Sequence, residues 1–134
     1  GRPTTILDVA HNPHAAAVLA ENLMNMGYHP ETHAVFGMLA DKDIAGVVRL
    51  LDRRIDHWHL CSLPGARGSS AAALQAILRG QGVQGSVELH ESPAAAWTAA
   101  RGAAGEGDRI VVFGSFVTVA EVMAALADRR QPPG

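Results

Sequence analysis

The chain has 134 residues, enough for one domain with a buried core, and its residues are 48% hydrophobic and 18% charged. This balance is typical of a folded globular protein and excludes an intrinsically disordered one. The formal net charge is -2 with no block of basic residues, which excludes the usual nucleic-acid and anionic-membrane binders.

No apolar stretch approaches the ~20 residues of a membrane-spanning helix, and the sequence contains no signal-peptide pattern. The single cysteine, Cys61, cannot form a disulfide within the chain, which favours a reducing cytoplasm. Cys61 lies in an apolar run and is predicted to be buried rather than nucleophilic. The sequence opens on Gly1 and enters its first predicted strand almost at once, so we expect residues 1–134 to be a single domain from a larger protein.

Short apolar runs alternate with helical patterns along the whole chain. Two of the predicted helices open on a capping residue followed by proline, Asn12 with Pro13 and Ser92 with Pro93. The predicted elements are a buried strand at 4–7, a helix at 13–26, a strand at 32–38, a helix after Asp43, a strand at 57–63, a helix from Ser69 or Ser70 to Arg79, a strand at 86–90, a helix at 93–104, a strand at 109–114 and a helix at 118–127. This alternation predicts an α/β fold, a Rossmann-like three-layer sandwich with a mainly parallel sheet of five or six strands.

Polar residues follow three of the predicted strands. They are Asp8, His11 and Asn12 after the first strand, Asp41 and Lys42 after the second, and Ser115 after the fifth. The carboxyl ends of parallel strands lie at one edge of a sheet, where ligands of such folds bind. A strand that leads directly into a helix also leaves the first helical N–H groups free, which suits an anion such as phosphate. We therefore expect these residues to share an anion-binding edge.

Each of these segments also fits an ordinary structural role. Asp8 and His11 can belong to a plain turn, and Asp43 can simply cap its helix. Lys42 can be a solvated turn residue, and Ser115 can satisfy the first N–H groups of the last helix. The sequence contains no G-x-x-x-x-G-K-[ST] loop, and no G-x-G-x-x-G follows the first strand. In nucleotide chemistry this domain would therefore be the minor partner in a site.

The histidines do not follow a metal-binding pattern in the sequence. His11 and His14 are three positions apart and can share a helix face, but no third ligand is nearby, so we predict no metal site. His57 and His59 alternate around Trp58 and are assigned to a face or an edge of the sheet. No role is predicted for the other three, which are His29, His33 and His90.

Three segments carry a family resemblance, namely residues 7–13 (LDVAHNP), 37–43 (GMLADKD) and 114–122 (GSFVTVAEV). In order and separation they resemble the C-terminal domain of the bacterial folylpolyglutamate synthase/dihydrofolate synthase family, within the Mur ligase superfamily. The resemblance covers essentially the whole chain. The first segment is shared with other Mur-type ligases, whereas the second and third point to the folate branch.

The resemblance implies part of an ATP-dependent ligase. Members of this family use ATP to phosphorylate a carboxylate of dihydropteroate or a folate, and the amine of L-glutamate then attacks the acyl phosphate to form an amide. Their phosphate loop, Mg²⁺ ligands and carbamylated lysine belong to a preceding ATPase domain, which implies ATP and Mg²⁺ as cofactors and that domain as the partner of this one. The C-terminal domain closes over the nucleotide, helps to bind glutamate and is expected to be inactive alone.

The resemblance also assigns roles at the first segment. Asp8 would accept hydrogen bonds from the ATP ribose. His11 would contact the terminal phosphate, or the acyl phosphate made from it, as the catalytic residue. Asn12 would complete the nucleotide site. A donor at His11 stabilises charge that develops during transfer, more so where closure excludes water.

At the other two segments the resemblance implies contacts with substrate. Asp41 and Lys42 would lie near the cleft, with Lys42 facing a glutamate carboxylate or a phosphate. Ser115 would offer its hydroxyl and backbone donors to the glutamate carboxylate. Many relatives have histidine where Val117 stands, so the resemblance gives that side chain no role here.

A hypothesis of a different class is a stand-alone α/β module that binds a nucleotide or another small anion without catalysis. The first strand-to-helix turn supports this hypothesis equally well. Affinity of the isolated chain for such a ligand would favour the module, whereas the ligase hypothesis predicts weak or no ATP binding by the chain alone.

Overall fold

The computed structural model describes residues 2–130, apart from the side chains of Arg129 and Arg130. Its elements in chain order are β1 (Thr4–Leu7), α1 (Pro13–Asn25), β2 (Thr32–Phe36), α2 (Ile44–Leu51), a single 3-10 turn (Asp52–Arg54), β3 (His57–Cys61), α3 (Ala71–Gly80), β4 (Ser86–His90), α4 (Pro93–Ala103), β5 (Arg109–Phe113) and α5 (Phe116–Arg130). No helix in this described range is long and apolar enough to cross a bilayer.

The five strands form one parallel sheet in the order β1-β5-β2-β3-β4. Helices α1, α2 and α3 pack on one face, around the aromatic cluster of Phe36, Trp58 and Phe113. Helices α4 and α5 cover the other face, where the small side chains of Ala96 and Ala100 allow close packing on the sheet. The predicted α/β three-layer architecture is confirmed.

Side-chain caps begin the helices as the sequence indicates. The N–H of Ala15 donates to Asn12 Oδ1 at 2.8 Å, and the N–H of Gly46 donates to Asp43 Oδ1 at 3.0 Å. Ser70, rather than Ser69, caps α3. The ordinary capping role considered for Asp43 is therefore present.

The prediction that the first strand is buried is wrong. Thr4 and Thr5 are exposed, and Leu7 remains 38% exposed. The reason is topological, because β1 is an edge strand that pairs only with β5. Several boundaries also differ; among them, β2 ends at Phe36, β3 ends at Cys61, and α5 begins two residues earlier than predicted.

Cys61 is buried on the face covered by α4 and α5, as predicted. Burial, with a smaller contribution from Glu121, raises the pKa of its thiol to about 12. Its Sγ lies 3.4 Å from the Phe36 carbonyl oxygen, to which the thiol donates. A buried, protonated thiol is a poor nucleophile, so Cys61 is a core residue.

Candidate anion-binding site

A cavity of about 190 Å³ lies beyond the carboxyl ends of β1, β5 and β2. Its lining residues are His11, Leu39, Lys42, Gly114, Ser115 and Phe116. These residues come from all three segments singled out in the sequence, because β1, β5 and β2 are neighbours in the sheet. The structure therefore brings His11, Lys42 and Ser115 together, whereas Asp8, Asn12 and Asp41 do not line the cavity.

Two glycines allow the ends of β2 and β5 to approach each other. Gly114 has φ +111°, and a Cβ there would collide with the carbonyl oxygen of Gly37. A Cβ on Gly37 would lie 2.8 Å from Cys61 Sγ and 2.8 Å from Thr118 Oγ1. The sequence contains both glycines in the family segments, but only the tertiary structure shows why side chains are excluded there.

The turn after β1 fixes the orientation of His11. The N–H of Ala10 donates to Asp8 Oδ1 at 2.8 Å, and Ala10 itself is buried. The Nδ1 of His11 lies 2.9 Å from the carbonyl oxygen of Val9. Because a carbonyl only accepts, Nδ1 carries the proton, and Nε2 is the nitrogen left for a ligand in the cavity.

Asp8 and Asn12 lie beside this cavity and have turn and cap roles. Asp8 Oδ1 accepts from Ala10, and Asn12 Oδ1 accepts from Ala15. Within residues 2–130, Asp8 Oδ2 and Asn12 Nδ2 form no hydrogen bond with the protein. Each side chain therefore combines a structural role with one polar group that a ligand can reach.

The loop after β2 places Lys42 in the cavity wall. Lys42 is half-buried and forms no ion pair among the described residues. Its neighbour Asp41 is exposed, and Arg67 Nη2 donates to Asp41 Oδ2 at 2.8 Å. This hydrogen bond, opposed by desolvation, lowers the pKa of the Asp41 carboxyl. The charge on Asp41 is thus committed to Arg67, while Lys42 remains available for an anion.

Arg67 is a site-supporting residue that the sequence analysis missed. The N–H of Ala40 donates to the Arg67 carbonyl at 2.7 Å, and the N–H of Ser69 donates to the Met38 carbonyl at 3.1 Å. These bonds hold the loop after β2 against the loop after β3. No sequence signal identifies Arg67, because it lies 26 positions from its partner Asp41.

Ser115 caps α5 and is itself buried. Thr118 Oγ1 donates to the Gly37 carbonyl at 3.0 Å, so the 2.7 Å contact between the two hydroxyls uses the proton of Ser115. Ser115 Oγ also accepts from the N–H of Thr118 at 3.1 Å. The proton of the Ser115 hydroxyl is therefore used inside the protein and is not available to an anion. The donors available at this end of α5 are the first helical N–H groups, at Phe116 and Val117.

The donor set of the cavity suits an anion. Lys42 carries a positive charge, His11 offers Nε2–H when its ring carries a second proton, and the start of α5 adds the positive end of the helix dipole. None of the described residues in its lining is a carboxylate, the ligand that Mg²⁺ prefers in proteins. The residues present therefore fit a phosphate or a carboxylate ligand and do not form a magnesium site.

A larger cleft of about 510 Å³ lies at the opposite edge of the sheet, where β2, β3 and β4 begin. Its lining includes Glu31, Asp52, Asp56 and His57. Ligands of parallel α/β sheets bind beyond the carboxyl ends of the strands, and none of the three family segments reaches this cleft. We therefore assign the smaller cavity as the candidate site.

The fold and this cavity define an α/β domain of the class whose candidate ligand site lies at the carboxyl edge of a parallel sheet. A family model described as the Mur ligase, glutamate ligase domain matches residues 1–116. The chain belongs to this family, and the resemblance found in its sequence is confirmed.

Similar proteins agree with this assignment. Dihydrofolate synthase/folylpolyglutamate synthase of Escherichia coli is 41% identical over 128 residues, which cover 96% of this chain and 29% of that protein. A solved structure of E. coli FolC in complex with DHPP and ADP has a TM-score of 0.85 at 40% identity, over 95% of this chain and 29% of that one. A bifunctional folylpolyglutamate synthase/dihydrofolate synthase solved with Mn, AMPPNP and L-glutamate has a TM-score of 0.82 at 44% identity, over 93% of this chain and 29% of that one. The chain thus spans 29% of the length of these relatives.

Proposed function

We propose that this chain is the C-terminal part of an ATP-dependent ligase that adds L-glutamate to dihydropteroate, to folates or to both through an acyl phosphate. The observation that carries the proposal is the shared cavity of His11, Lys42 and the start of α5, which combines three anion-binding groups without a carboxylate. Acyl-phosphate chemistry needs such groups for the transferred phosphate and for the glutamate carboxylate. The similarity to named ligases supports the same reaction.

His11 is the residue we assign to the phosphate. With Nδ1–H held by the Val9 carbonyl, a second proton on the ring makes Nε2–H a donor to a phosphate oxygen. Such a donor stabilises the charge that develops as the phosphoryl group moves, and closure of the site strengthens it by excluding water. We assign Asp8 Oδ2 to accept from a ribose hydroxyl, and Asn12 Nδ2 to add a neutral donor beside it.

Lys42 and α5 are the groups we assign to glutamate. The ammonium group of Lys42 attracts a carboxylate or a phosphate, and the N–H groups of Phe116 and Val117 can donate to the same anion. We assign Asp41 an indirect role, because its hydrogen bond with Arg67 holds the loop that carries Lys42. The hydroxyl of Ser115 supports α5, and we assign the donors at this helix end to the backbone.

The complete enzyme requires groups that this chain does not supply. We propose that a preceding ATPase domain of the same protein supplies the phosphate loop and the ligands of Mg²⁺, which neutralises charge on ATP when bound. The donor set of the cavity fits this division, since it suits anions rather than a metal. The substrates are small molecules, with no role for nucleic acid or a membrane, and we place the enzyme in the cytoplasm.

The test is ATP-dependent incorporation of labelled L-glutamate by the whole protein that contains this chain, with dihydropteroate and with reduced folates offered separately. Incorporation with either acceptor supports the proposal, and the acceptor used identifies the activity. No incorporation with either acceptor overturns it. Submillimolar ATP affinity of the 134-residue chain alone, in a protein without ligase activity, would instead favour the stand-alone anion-binding module.

A further inference from the structure

A cluster of histidines and carboxylates lies on the sheet face covered by α4, far along the sheet from β1. In the parallel register His33 pairs with His57, and His59 pairs with Glu88, so these side chains share one face. His90 follows Glu88 by two positions on β4 and projects to the same face. His59 and His33 are only 1% and 2% exposed. The proposed glutamate ligase activity uses none of these residues.

Two of the histidines form a chain between two carboxylates. The Nδ1 of His59 lies 3.3 Å from Glu88 Oε2, and its Nε2 lies 3.4 Å from Nδ1 of His33. The Nε2 of His33 lies 3.4 Å from Asp108 Oδ2. Each of these three contacts requires one proton, but two neutral imidazoles supply only two. Whichever tautomers form, one contact therefore brings two lone pairs together.

The structure shows the consequence of this missing proton. Among the described residues, His59 Nδ1 and His33 Nε2 are buried nitrogens without a hydrogen-bond partner of good geometry. A buried polar atom left unpaired is unfavourable, so a cation in this gap would be stabilised.

We propose that a divalent transition-metal ion of the zinc type binds between His59, Glu88 and His90. The candidate ligand atoms of these three residues all lie within 4.8 Å of one another. His90 Nε2 is itself buried and unpartnered among the described residues. Two imidazoles and one carboxylate form a donor set that zinc accepts, with water completing a tetrahedron. Glu88 has a side chain 59% exposed, which provides the entry path and the position for that water.

The same ion satisfies all three contacts between Glu88, His59, His33 and Asp108. When the metal binds Nδ1 of His59, the proton of His59 lies on Nε2 and is donated to His33 Nδ1. The proton of His33 then lies on Nε2 and is donated to Asp108. Each contact then has one cation or one proton. Carboxylate–histidine–metal relays of this kind orient ligands and raise their basicity in known metal sites. The ion would also join the edge strand β4 to β3, at the opposite side of the sheet from β1.

The test is calorimetric titration of the 134-residue chain with Zn²⁺, together with the visible absorption spectrum of its Co²⁺ form. Glu88→Gln is the decisive variant, because this largely exposed side chain can be changed without disturbing the core. His14→Gln is the matched control. His14 is exposed on α1 and lies three positions after His11, so these two histidines form a surface pair that could bind Zn²⁺ weakly. Thermal unfolding with and without Zn²⁺ provides a second readout.

We expect one Zn²⁺ per chain, a rise in Tm with Zn²⁺ and a Co²⁺ spectrum typical of four-coordinate nitrogen and oxygen ligands. Glu88→Gln should weaken Zn²⁺ binding by about tenfold or more and abolish the rise in Tm, whereas His14→Gln should leave both unchanged. Three results would each overturn the proposal: no saturable Zn²⁺ binding, equal affinity in the Glu88→Gln variant, or a loss of binding in the His14→Gln variant.

Discussion

The hydroxyl of Ser115 donates to Oγ1 of Thr118 at 2.7 Å, and Thr118 in turn donates to the carbonyl of Gly37 at 3.0 Å. This pair of hydroxyls connects the start of α5 to the end of β2 inside the protein. It therefore sets the spacing of the cavity that contains His11 and Lys42.

Thr118→Val tests this connection. The change removes the hydroxyl while keeping the branched shape, so it leaves the buried Gly37 carbonyl without its donor. We expect a loss of about 1–3 kcal/mol in the free energy of unfolding, measured by urea denaturation. Thr98→Val is the control, because the Thr98 hydroxyl donates to the Ala94 carbonyl on an exposed face of α4, and its loss should stay below about 0.5 kcal/mol. Equal losses in the two variants would contradict the connecting role of Thr118.

Gly114→Ala tests the close approach of β5 and β2. A Cβ at φ +111° is strained, and it would also collide with the Gly37 carbonyl, so we expect destabilisation by about 2 kcal/mol or more. Gly102→Ala lies in α4 with open space around its Cβ and should be neutral or stabilising by up to about 1 kcal/mol. A Gly114→Ala variant as stable as the unsubstituted chain would show that this approach is not required.

The Asp41–Arg67 pair has a pH signature that NMR can measure. Arg67 lowers the pKa of the Asp41 carboxyl in the folded chain, so any stabilisation from this pair is present above the unfolded-state pKa and is lost as the pH falls through the folded value. Asp41 is exposed, so the effect on overall stability should be small. Arg67→Ala should raise the pKa of Asp41 toward its ordinary value, whereas Arg79→Ala should not change it. If Arg67→Ala left the pKa of the Asp41 carboxyl unchanged, the result would contradict the role of Arg67 in supporting this loop.

Lys42→Ala tests the proposed substrate side of the cavity in the whole protein that contains this chain. Lys42 is the only lysine among the 134 residues, and no described residue neutralises it in an ion pair. Removing a charge-assisted contact should raise the KM for glutamate or ATP by about tenfold or more. Lys42→Arg keeps the positive charge, but its planar group fits the same anion differently. Its KM should therefore lie between the values of the unsubstituted protein and of Lys42→Ala. An unaltered KM for both substrates in Lys42→Ala would exclude Lys42 from the site.

Local signals in the sequence were enough to predict most of the elements. The strand at 86–90 is observed within the predicted bounds, and Asn12, Asp43 and Ser92 cap their helices as expected, because capping and hydrophobic period act over a few residues. The burial of Thr4–Leu7 was mispredicted because it depends on distant parts of the chain. An apolar strand can lie in the centre or at the edge of a sheet, and only the strand order distinguishes these two positions.

The candidate site was predicted in part. His11 and Lys42 were recognised from motifs at strand ends, and the parallel sheet brings these ends together. Arg67 and the chain of contacts from Glu88 to Asp108 were missed, because their partners lie many positions apart and meet only through the strand order β2-β3-β4. His33 and His90 gave no sequence signal at all, yet both belong to the proposed metal cluster or its supporting contacts.

The most direct test is the kcat of the proposed ligase, prepared as the whole protein that contains this chain, after His11→Ala, with His14→Ala as the control. Both side chains are exposed, so both variants should fold normally. We expect His11→Ala to lower kcat by about 10²–10³-fold, as for the loss of a donor to the transferred phosphoryl group, while His14→Ala retains the activity of the unsubstituted protein. A normal kcat in the His11→Ala enzyme would contradict the assignment of this cavity to phosphoryl transfer.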